Sequence, residues 1–296
     1  MLSVRNISHS YGHIQALKGI NFEVGQETIF GLIGPDGAGK STLIRILATL
    51  LLPQEGEASV LGKDVIDSYS FIRKNIGYMP GRFSLYEDLS VEENLSLFAA
   101  IHGTTIEENY ELIKDIYQQI EPFKTRRAGQ LSGGMKQKLA LSCAMIHAPR
   151  LILLDEPTTG VDPVSRKEFW QMLLKLKERG VTILVSTPYM DEAALCDKVA
   201  LIYEGEFLDI DTPDALLEKF QGLLYRVPQW KEEGILQQLR PLPSVQMAYL
   251  NGGYFHIQAR NKHVESDFNS LFPGKGKLEE VEPNIEDCFL QLMSAP

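Results

Sequence analysis

The chain has no excess of basic residues and no apolar segment long enough to cross a membrane. Of its 296 residues, 39 are acidic and 29 are basic, which gives a net charge of −10. A nucleic-acid partner is therefore not expected, because no global basic field exists to hold a phosphate backbone. The longest apolar run, residues 43–52, is interrupted by Arg45 and falls well short of the ~20 residues that a membrane helix needs.

The sequence also lacks a cysteine framework and an evident signal peptide. Its cysteines, Cys143, Cys196 and Cys288, have neither metal-binding spacing nor an even count, which fits a reducing cytoplasm and buried packing roles. The N-terminus has no basic segment followed by an apolar one. A hydrophobic content of 44% over this length is enough for a full core and favours two domains.

Short apolar runs alternate with helical periodicity through the first two thirds of the chain. Buried strands are predicted at residues 28–33, 151–154, 181–186 and 199–203. Helical segments separate them, for example residues 167–179. Strands that alternate with helices favour an α/β fold with a parallel sheet.

A glycine-rich loop follows the first of these buried strands and precedes a predicted helix. It matches G-x-x-x-x-G-K-[ST], a pattern whose backbone N–H groups surround phosphates at a helix N-terminus. We expect Lys40 to reach the β- and γ-phosphates of a nucleotide and the Ser41 hydroxyl to bind Mg²⁺. The residues of this phosphate loop are Gly34, Pro35, Asp36, Gly37, Ala38, Gly39, Lys40, Ser41 and Thr42.

Two carboxylates stand at the end of the buried run at residues 151–154. Open α/β sheets bind ligands beyond the carboxyl ends of their strands. We expect Asp155 to hold Mg²⁺ and Glu156 to polarise the attacking water. A solvated acidic strand end is the alternative when these two residues are considered in isolation.

A third motif lies between the phosphate loop and the acidic pair, where Ser132-Gly133-Gly134 opens an apparent helix suited to an anion. With all three motifs in this order, the chain resembles the ATP-binding subunits of ATP-binding-cassette (ABC) transporters over about residues 1–220. The family's signature is usually Leu-Ser-Gly-Gly-Gln, and Met135 replaces the glutamine. The corresponding residues here, the signature segment, are Leu131, Ser132, Gly133, Gly134 and Met135.

The resemblance implies a fold and a division of the chain. It implies a P-loop cassette with a parallel sheet core, an N-terminal antiparallel β-subdomain and a helical subdomain at about residues 83–145. Residues 221–296 are expected to form an accessory α+β domain. Alternating strand and helix patterns around the hairpin signal Asn251-Gly252-Gly253, including a helical pattern at residues 231–240, predict a ferredoxin-like β-α-β-β-α-β order there, followed by a helix at 285–293.

The resemblance also implies further site residues and partners. Tyr11 stands where the family has an aromatic that stacks on adenine, and Asp162 is the centre of the D-loop. The signature segment is expected to bind the γ-phosphate of ATP held by a second cassette in a head-to-tail dimer. ATP and Mg²⁺ are the expected cofactors, and a transmembrane permease, most similar to the ABC-2 type of drug exporters, is the expected partner at the inner face of the membrane.

Two positions depart from the family pattern. Gly81 stands where the family has a glutamine that contacts Mg²⁺ and the attacking water, and Pro188 stands where it has the switch histidine. Glycine and proline supply no side-chain donor, acceptor or ring nitrogen. We expect this chain's own site to be impaired in catalysis, which favours a heterodimer with a second cassette over a homodimer. The alternatives are a regulatory subunit with little turnover and a soluble ABC protein that acts outside transport.

Overall fold

The structure is a computed structural model, and it describes residues 1–82, 84–231 and 234–294. The chain divides into two compact units, Met1–Pro213 and a second unit that begins at Asp214. The domain boundary expected at residue 220 stays a prediction. Among the described residues, no helix combines the length and the apolar character that crossing a membrane requires.

The first unit contains ten strands among the residues that the structure describes. They are β1 (Leu2–Tyr11), β2 (Ile14–Val24), β3 (Ile29–Ile33), β4 (Glu55–Val60), β5 (Lys63–Asp64), β6 (Ile76–Met79), β7 (Leu151–Asp155), β8 (Thr182–Thr187), β9 (Lys198–Tyr203) and β10 (Glu206–Asp211). Its α-helices are α1 (Lys40–Leu47), α2 (Tyr69–Asn75), α3 (Val91–Ile101), α4 (Ile106–Tyr117), α5 (Gly133–Met145) and α6 (Pro163–Glu178), and α7 (Pro213–Glu218) starts at its last residue.

The central sheet has the strand order β10-β9-β3-β8-β7-β6. Neighbours from β9 to β6 pair in parallel, and β10 pairs with β9 in the antiparallel sense. Every residue of β3, β7 and β8 is buried, because helices cover a parallel sheet on both faces and its strands are therefore apolar throughout. The four predicted buried strands are confirmed by β3, β7, β8 and β9.

A second sheet in this unit is antiparallel, with the order β2-β1-β4-β5. One face of β1 and β2 contributes Leu2, Val4, Ile20 and Phe22 to the hydrophobic core, which also contains the apolar side of α1. The expected N-terminal antiparallel subdomain is thus present.

The segment between β6 and β7 is helical, and within its described residues no further strand is found. Helices α3 and α4 both begin with reciprocal capping, from Ser90 with Glu93 and from Thr105 with Glu108, which satisfies N–H groups that a helix start leaves free. The predicted start of this subdomain, Phe83, lies outside the described residues.

The second unit contains β11 (Leu223–Pro228), α8 (Ile235–Leu239), β12 (Val245–Asn251), β13 (Tyr254–Ala259), α9 (Val264–Leu271), β14 (Glu279–Val281) and α10 (Ile285–Met293). Its antiparallel sheet has the order β12-β13-β11-β14, which is the ferredoxin-like arrangement predicted from the sequence. A separate core includes Val227, Ile257 and Phe268. Helix α8 is shorter than the predicted helix at 231–240, and residues 232 and 233 of that prediction lie outside the described part of the chain.

Candidate nucleotide-binding site

The phosphate loop connects β3 to α1 at the carboxyl end of the parallel sheet. Gly34 is in close contact with the neighbouring strand, since a Cβ there would stand 2.1 Å from the carbonyl oxygen of Ile202. Gly39 has φ 106° and is the N-cap of α1, a conformation that favours glycine. Along the loop, Pro35 is half-buried, Asp36 and Gly37 are exposed, and Ala38 is buried. The loop therefore presents the start of α1 to the cleft described below.

Lys40 is held inside this loop. Its side chain is only 3% exposed, and Nζ donates hydrogen bonds to the carbonyl oxygens of Gly34 at 2.8 Å and Pro35 at 3.0 Å. The same nitrogen lies 3.2 Å from Oε1 of Glu156. The ammonium group is thus aimed along the loop at the point where β3 and β7 end.

Asp155 is the last residue of β7 and is also buried. Two hydroxyl groups donate to the same carboxylate oxygen, Oδ1: Ser41 Oγ at 2.9 Å and Ser186 Oγ at 2.8 Å. Ser41 belongs to the first turn of α1, and Ser186 lies beside Asp155 on β8 in parallel register. This carboxylate therefore joins the phosphate loop to two strand ends.

Glu156 follows in an unusual backbone conformation, with φ 50°. Its N–H group donates to Ser186 Oγ at 3.0 Å and to the Ser186 carbonyl oxygen at 3.1 Å. Its carboxylate accepts from Thr159 Oγ1 at 3.3 Å in addition to the ion pair with Lys40. A non-glycine residue keeps a left-handed backbone conformation where its surroundings fix it. Here the backbone contacts turn Glu156 from the strand end toward Lys40.

Ser41 and Asp155 form an oxygen donor set that fits Mg²⁺. Their side-chain oxygens are 2.9 Å apart, and Mg²⁺ prefers one or two protein oxygen ligands together with water and phosphate oxygens. The two residues were predicted as the metal ligands from the sequence, and the structure brings them together.

A cleft of about 250 Å³ opens over the phosphate loop. Tyr11, the last residue of β1, lines it and is 46% exposed. Two residues that the sequence did not single out, Ile14 and Ala16, also line it. Both belong to β2, which begins three residues after Tyr11. The complete lining consists of Tyr11, Ile14, Ala16, Gly37, Ala38, Gly39, Lys40, Ser41, Thr42 and Glu156.

The signature segment lies at the start of α5 and, within the described chain, contributes nothing to the lining of this cleft. Leu131 is buried and Met135 is half-buried, whereas Ser132 and Gly133 are exposed. Ser132 is the N-cap, and its Oγ accepts from the Met135 N–H group at 3.4 Å. The free end of α5 is therefore a second, separate polar surface.

The segment after Glu156 connects β7 to α6, and α6 packs against the signature segment. Asp162 caps α6 by accepting from the N–H groups of Val164 and Ser165 at 3.1 and 3.0 Å. The N–H group of Ser165 lowers the pKa of Asp162 most strongly, since it stabilises the charged carboxylate. A Cβ at Gly134 would stand 2.5 Å from Ser165 Oγ. This close contact requires a residue without a side chain in the signature segment.

The two departures from the family pattern follow strands of the parallel sheet, Gly81 after β6 and Pro188 after β8. A Cβ at Gly81 would lie 3.1 Å from the carbonyl oxygen of Asp155 and 3.6 Å from its Oδ2. Pro188 follows the last residue of β8 and is half-buried, two residues after Ser186. A side chain at residue 81 would begin beside Asp155, but neither glycine nor proline offers a polar side-chain atom.

Comparisons with known proteins agree with this geometry. A family described as ABC transporter matches residues 17–159. The chain is 41% identical over 271 residues to the probable multidrug ABC transporter ATP-binding protein YbhF of Escherichia coli (strain K12), over 90% of this chain and 47% of YbhF. It is 34% identical over 298 residues to Nod factor export ATP-binding protein I of Rhizobium sp. (strain N33), over 98% of this chain and 96% of that protein. This chain belongs to the ABC transporter family.

The fold of a solved cassette structure also agrees with the family assignment. The ABC cassette aligns with the dimeric, post-hydrolysis structure of the ATP-binding cassette MJ0796 bound to ADP and Pi, with 28% identity and a TM-score of 0.65 over 72% of this chain and 98% of that one. The chain spans 47% of the length of YbhF. The predicted family and fold class are confirmed.

Proposed function

We propose that this chain is the ATP-binding subunit of a membrane exporter and couples Mg-ATP binding, dimer closure and hydrolysis to transport. One observation carries the proposal: Lys40 pairs with Glu156 and Ser41 with Asp155, and three of these residues line a single cleft, with Asp155 directly behind Ser41. Their chemistry is complementary to a nucleoside triphosphate, since a buried ammonium and loop N–H groups bind phosphate oxygens and the carboxylates face a metal and water.

Each of these residues has a role that follows from its position. Lys40 binds phosphate oxygens, and Ser41 with Asp155 holds Mg²⁺. Glu156 lies 3.2 Å from Lys40 and accepts a proton from, or orients, the attacking water. Tyr11 offers an exposed ring at the rim of the cleft for the adenine base. Mg²⁺, when bound, supplies charge neutralisation to the β- and γ-phosphates.

The second part of the proposal is a head-to-tail dimer. Ser132 and Gly133 are exposed at the start of a helix, and helix N-termini bind anions through free N–H groups and the helix dipole. Because they line none of the chain's own cleft within the described residues, their ligand would be the γ-phosphate at the cleft of another cassette. The dimeric state of the MJ0796 structure is consistent with this arrangement.

Export through a separate permease is the third part. The names of the relatives refer to multidrug transport and to Nod factor export, and this chain has no candidate membrane helix among its described residues. We infer a partner permease of the ABC-2 type and a place on the cytoplasmic face of the membrane.

A second candidate function is favoured by Gly81 and Pro188. Losing contacts that act mainly in the transition state lowers turnover more than binding. The chain would then bind Mg-ATP with little hydrolysis at its own phosphate loop, while its signature segment serves the site of a second, competent cassette. A heterodimer satisfies both observations, and a homodimer would contain two impaired sites.

Co-expression with neighbouring gene products tests these parts together. The permease and any second cassette encoded beside the gene are produced with this chain, and ATP binding and hydrolysis are measured for the chain alone and for the purified complex. We expect slow hydrolysis alone and faster hydrolysis in the complex. A chain that does not bind ATP would contradict the proposal, and fast turnover without any partner would contradict the impaired site.

A further inference from the structure

We propose that Ser186 is a positioning residue for both carboxylates of the site: it keeps Asp155 oriented for the metal and fixes the backbone that carries Glu156. This inference rests on the proposed function, because it assigns a role in Mg-ATP binding. Ser186 is not part of the phosphate loop, the acidic pair or the signature segment, and it does not line the nucleotide cleft among the described residues.

The hydroxyl of Ser186 has two partners in the site. Its side chain is fully buried, and Oγ donates to Asp155 Oδ1 at 2.8 Å while it accepts from the Glu156 N–H group at 3.0 Å. A hydroxyl has one proton to donate, and that proton is committed to the carboxylate. A single buried atom thus connects the metal-binding side chain to the main chain of the residue that follows it.

The parallel register of the sheet places Ser186 there. Asp155 and Ser186 are partners on β7 and β8, and residues that face each other across a ladder project to the same side of a sheet. Both lie at the carboxyl ends of their strands, the edge where open α/β sheets bind ligands. The contact is therefore built into the strand pairing and does not depend on a loop.

Ser186 differs from the other donor to the same oxygen. Ser41 Oγ lies 2.9 Å from Asp155 Oδ1. Because Ser41 is itself an expected metal ligand, this hydrogen bond belongs to the metal site and is expected to change when the metal binds. Ser186 holds the carboxylate from outside that ligand set. Residues in this position fix the orientation of a metal ligand, and replacing them commonly reduces metal affinity or activity by about 10- to 100-fold.

Glu156 depends on the same residue. With φ 50° it occupies a region that few residues other than glycine adopt, and its N–H group is shared between the carbonyl oxygen and the hydroxyl of Ser186. Losing the hydroxyl leaves the Glu156 N–H group with the Ser186 carbonyl oxygen as its acceptor. The backbone at Glu156 is therefore loosened but not released. We therefore expect the main effect at Asp155 and a smaller effect on the aim of Glu156.

The experiment measures how Mg²⁺ strengthens ATP binding, which does not require turnover. ATP affinity is determined by calorimetry in EDTA and over a series of Mg²⁺ concentrations for the full-length chain and for Ser186→Ala. We expect affinity in EDTA to change by less than about 2-fold, and the Mg²⁺ concentration that gives half of the increase to rise by about 10- to 100-fold. Turnover, where measurable, should fall by a similar factor.

A matched pair separates the hydroxyl from the packing. Ser186→Thr keeps the hydroxyl and Ser186→Val replaces it by a methyl group of the same shape, and both residues suit a strand. We expect the valine variant to need about 10-fold or more Mg²⁺ than the threonine variant. Ser142→Ala is the control for removal of a buried serine hydroxyl, because Ser142 is fully buried on α5 and donates to the Lys138 carbonyl oxygen at 2.9 Å.

The outcomes distinguish this inference from the proposed function. Equal Mg²⁺ requirements for the threonine and valine variants would overturn the role of Ser186, even if ATP still binds. The same holds if Ser142→Ala changes the Mg²⁺ requirement as much as Ser186→Ala does. If the unmodified chain fails to bind ATP in either condition, the proposed function itself is wrong, and the role of Ser186 falls with it.

Discussion

Each unit of the molecule contains a buried aspartate that accepts hydrogen bonds from two side chains, and the two aspartates have different surroundings. Asp155 in the first unit is 3% exposed and accepts from Ser41 and Ser186. Asp287 in the second unit is fully buried and accepts from the Tyr249 hydroxyl, with His256 Nδ1 at 2.9 Å.

The difference lies in what remains for a ligand. Asp155 stands at a strand end, beside the residues that line an open cleft. Asp287 is in the first turn of α10, where its second oxygen accepts from the Asn284 N–H group at 2.7 Å, so its partners tie that helix to the sheet. Burial raises the pKa of Asp287, but the hydrogen bonds from His256, Tyr249 and Asn284 outweigh it and the pKa is lowered. Burial of a carboxylate thus indicates a site only where its contacts leave one side open.

The largest expected effect is at Lys40. Lys40→Ala removes the ammonium that is proposed to contact phosphate oxygens, and charge-assisted hydrogen bonds of this kind contribute about 1.5–3 kcal/mol each. With two such contacts, we expect ATP affinity to fall by roughly 100- to 10,000-fold in a calorimetric titration. Lys114→Ala, which removes an exposed lysine that forms an ion pair with Glu111 within α4, is the control. Unchanged affinity in Lys40→Ala would reject the assignment of the loop.

Restoring the two missing polar side chains should increase the rate of ATP hydrolysis at the site that contains Asp155. Gly81→Gln together with Pro188→His is expected to lower the activation free energy of hydrolysis by about 2–4 kcal/mol, by comparison with deletion of one positioned donor. Turnover would then rise by about 30- to 1,000-fold. A Cβ at residue 81 is 3.1 Å from the Asp155 carbonyl oxygen, so a small local shift is needed. Steady-state hydrolysis measures the gain.

Gly81→Ala with Pro188→Ala is the matched control for that experiment. It adds the Cβ and removes the proline ring but supplies no amide or imidazole, so we expect no gain in turnover. An equal gain in the alanine pair would mean that backbone freedom, rather than the missing polar contacts, limits hydrolysis.

Tyr249→Phe should destabilise the second unit around Asp287 without affecting the nucleotide site of the first unit. Removing one donor to a buried carboxylate costs about 1–3 kcal/mol in unfolding free energy, measured by urea denaturation of the second unit. ATP affinity should stay within about 2-fold, because no nucleotide motif lies after Pro188. A matching Tyr254→Phe change, on the same hairpin, is expected to cost less than about 0.5 kcal/mol.

The pH dependence of the second unit follows from the direction of the Asp287 shift. The pKa of Asp287 is lowered from 3.8, so the folded state favours the charged carboxylate. Its contribution to stability is full above pH 3.8 and is lost as pH falls through the lower folded pKa. Denaturation midpoints measured between pH 5 and pH 2 should show this loss in the unmodified chain and a smaller one in Asp287→Asn.

The smallest expected effect is that of removing the second unit altogether. A chain that ends at Phe220 retains the phosphate loop, the acidic pair and the signature segment, and the second unit has its own hydrophobic core. We expect it to bind ATP with an affinity within about 2-fold of the full chain. A truncated protein that folds, as judged by circular dichroism, but no longer binds ATP would assign part of the nucleotide site to the second unit.

Much of the fold could be predicted because its signals are local. Strand β7 is a continuous apolar run that ends in Asp155, and the β12–β13 hairpin is marked by Asn251-Gly252-Gly253. Strand β5 has only two residues and helix α2 has one buried residue, Ile72, so neither leaves a periodic pattern. Helix α8 begins only at Ile235, after Gly234 with φ 78°, where glycine interrupts the predicted helix.

The site residues that sequence reasoning missed depend on pairing between strands. Ser186 is an ordinary serine in the run 181–186, and its role follows only from its register opposite Asp155. Ile14 and Ala16 line the cleft because β2 returns beside β1. A search for polar residues at the carboxyl end of each predicted buried strand would have found Ser186, because parallel strands end at the same edge.

The contact between Gly134 and Ser165 has a consequence for association. Gly133 also faces the Gly160 carbonyl oxygen, which a Cβ would approach to 3.7 Å, so the start of α5 and the turn before α6 are packed as one body. In the proposed dimer, the signature segment at the start of α5 meets a second cassette. A surface assembled in advance loses little conformational entropy when it is docked, so the proposed recognition surface would be preorganised before a partner binds.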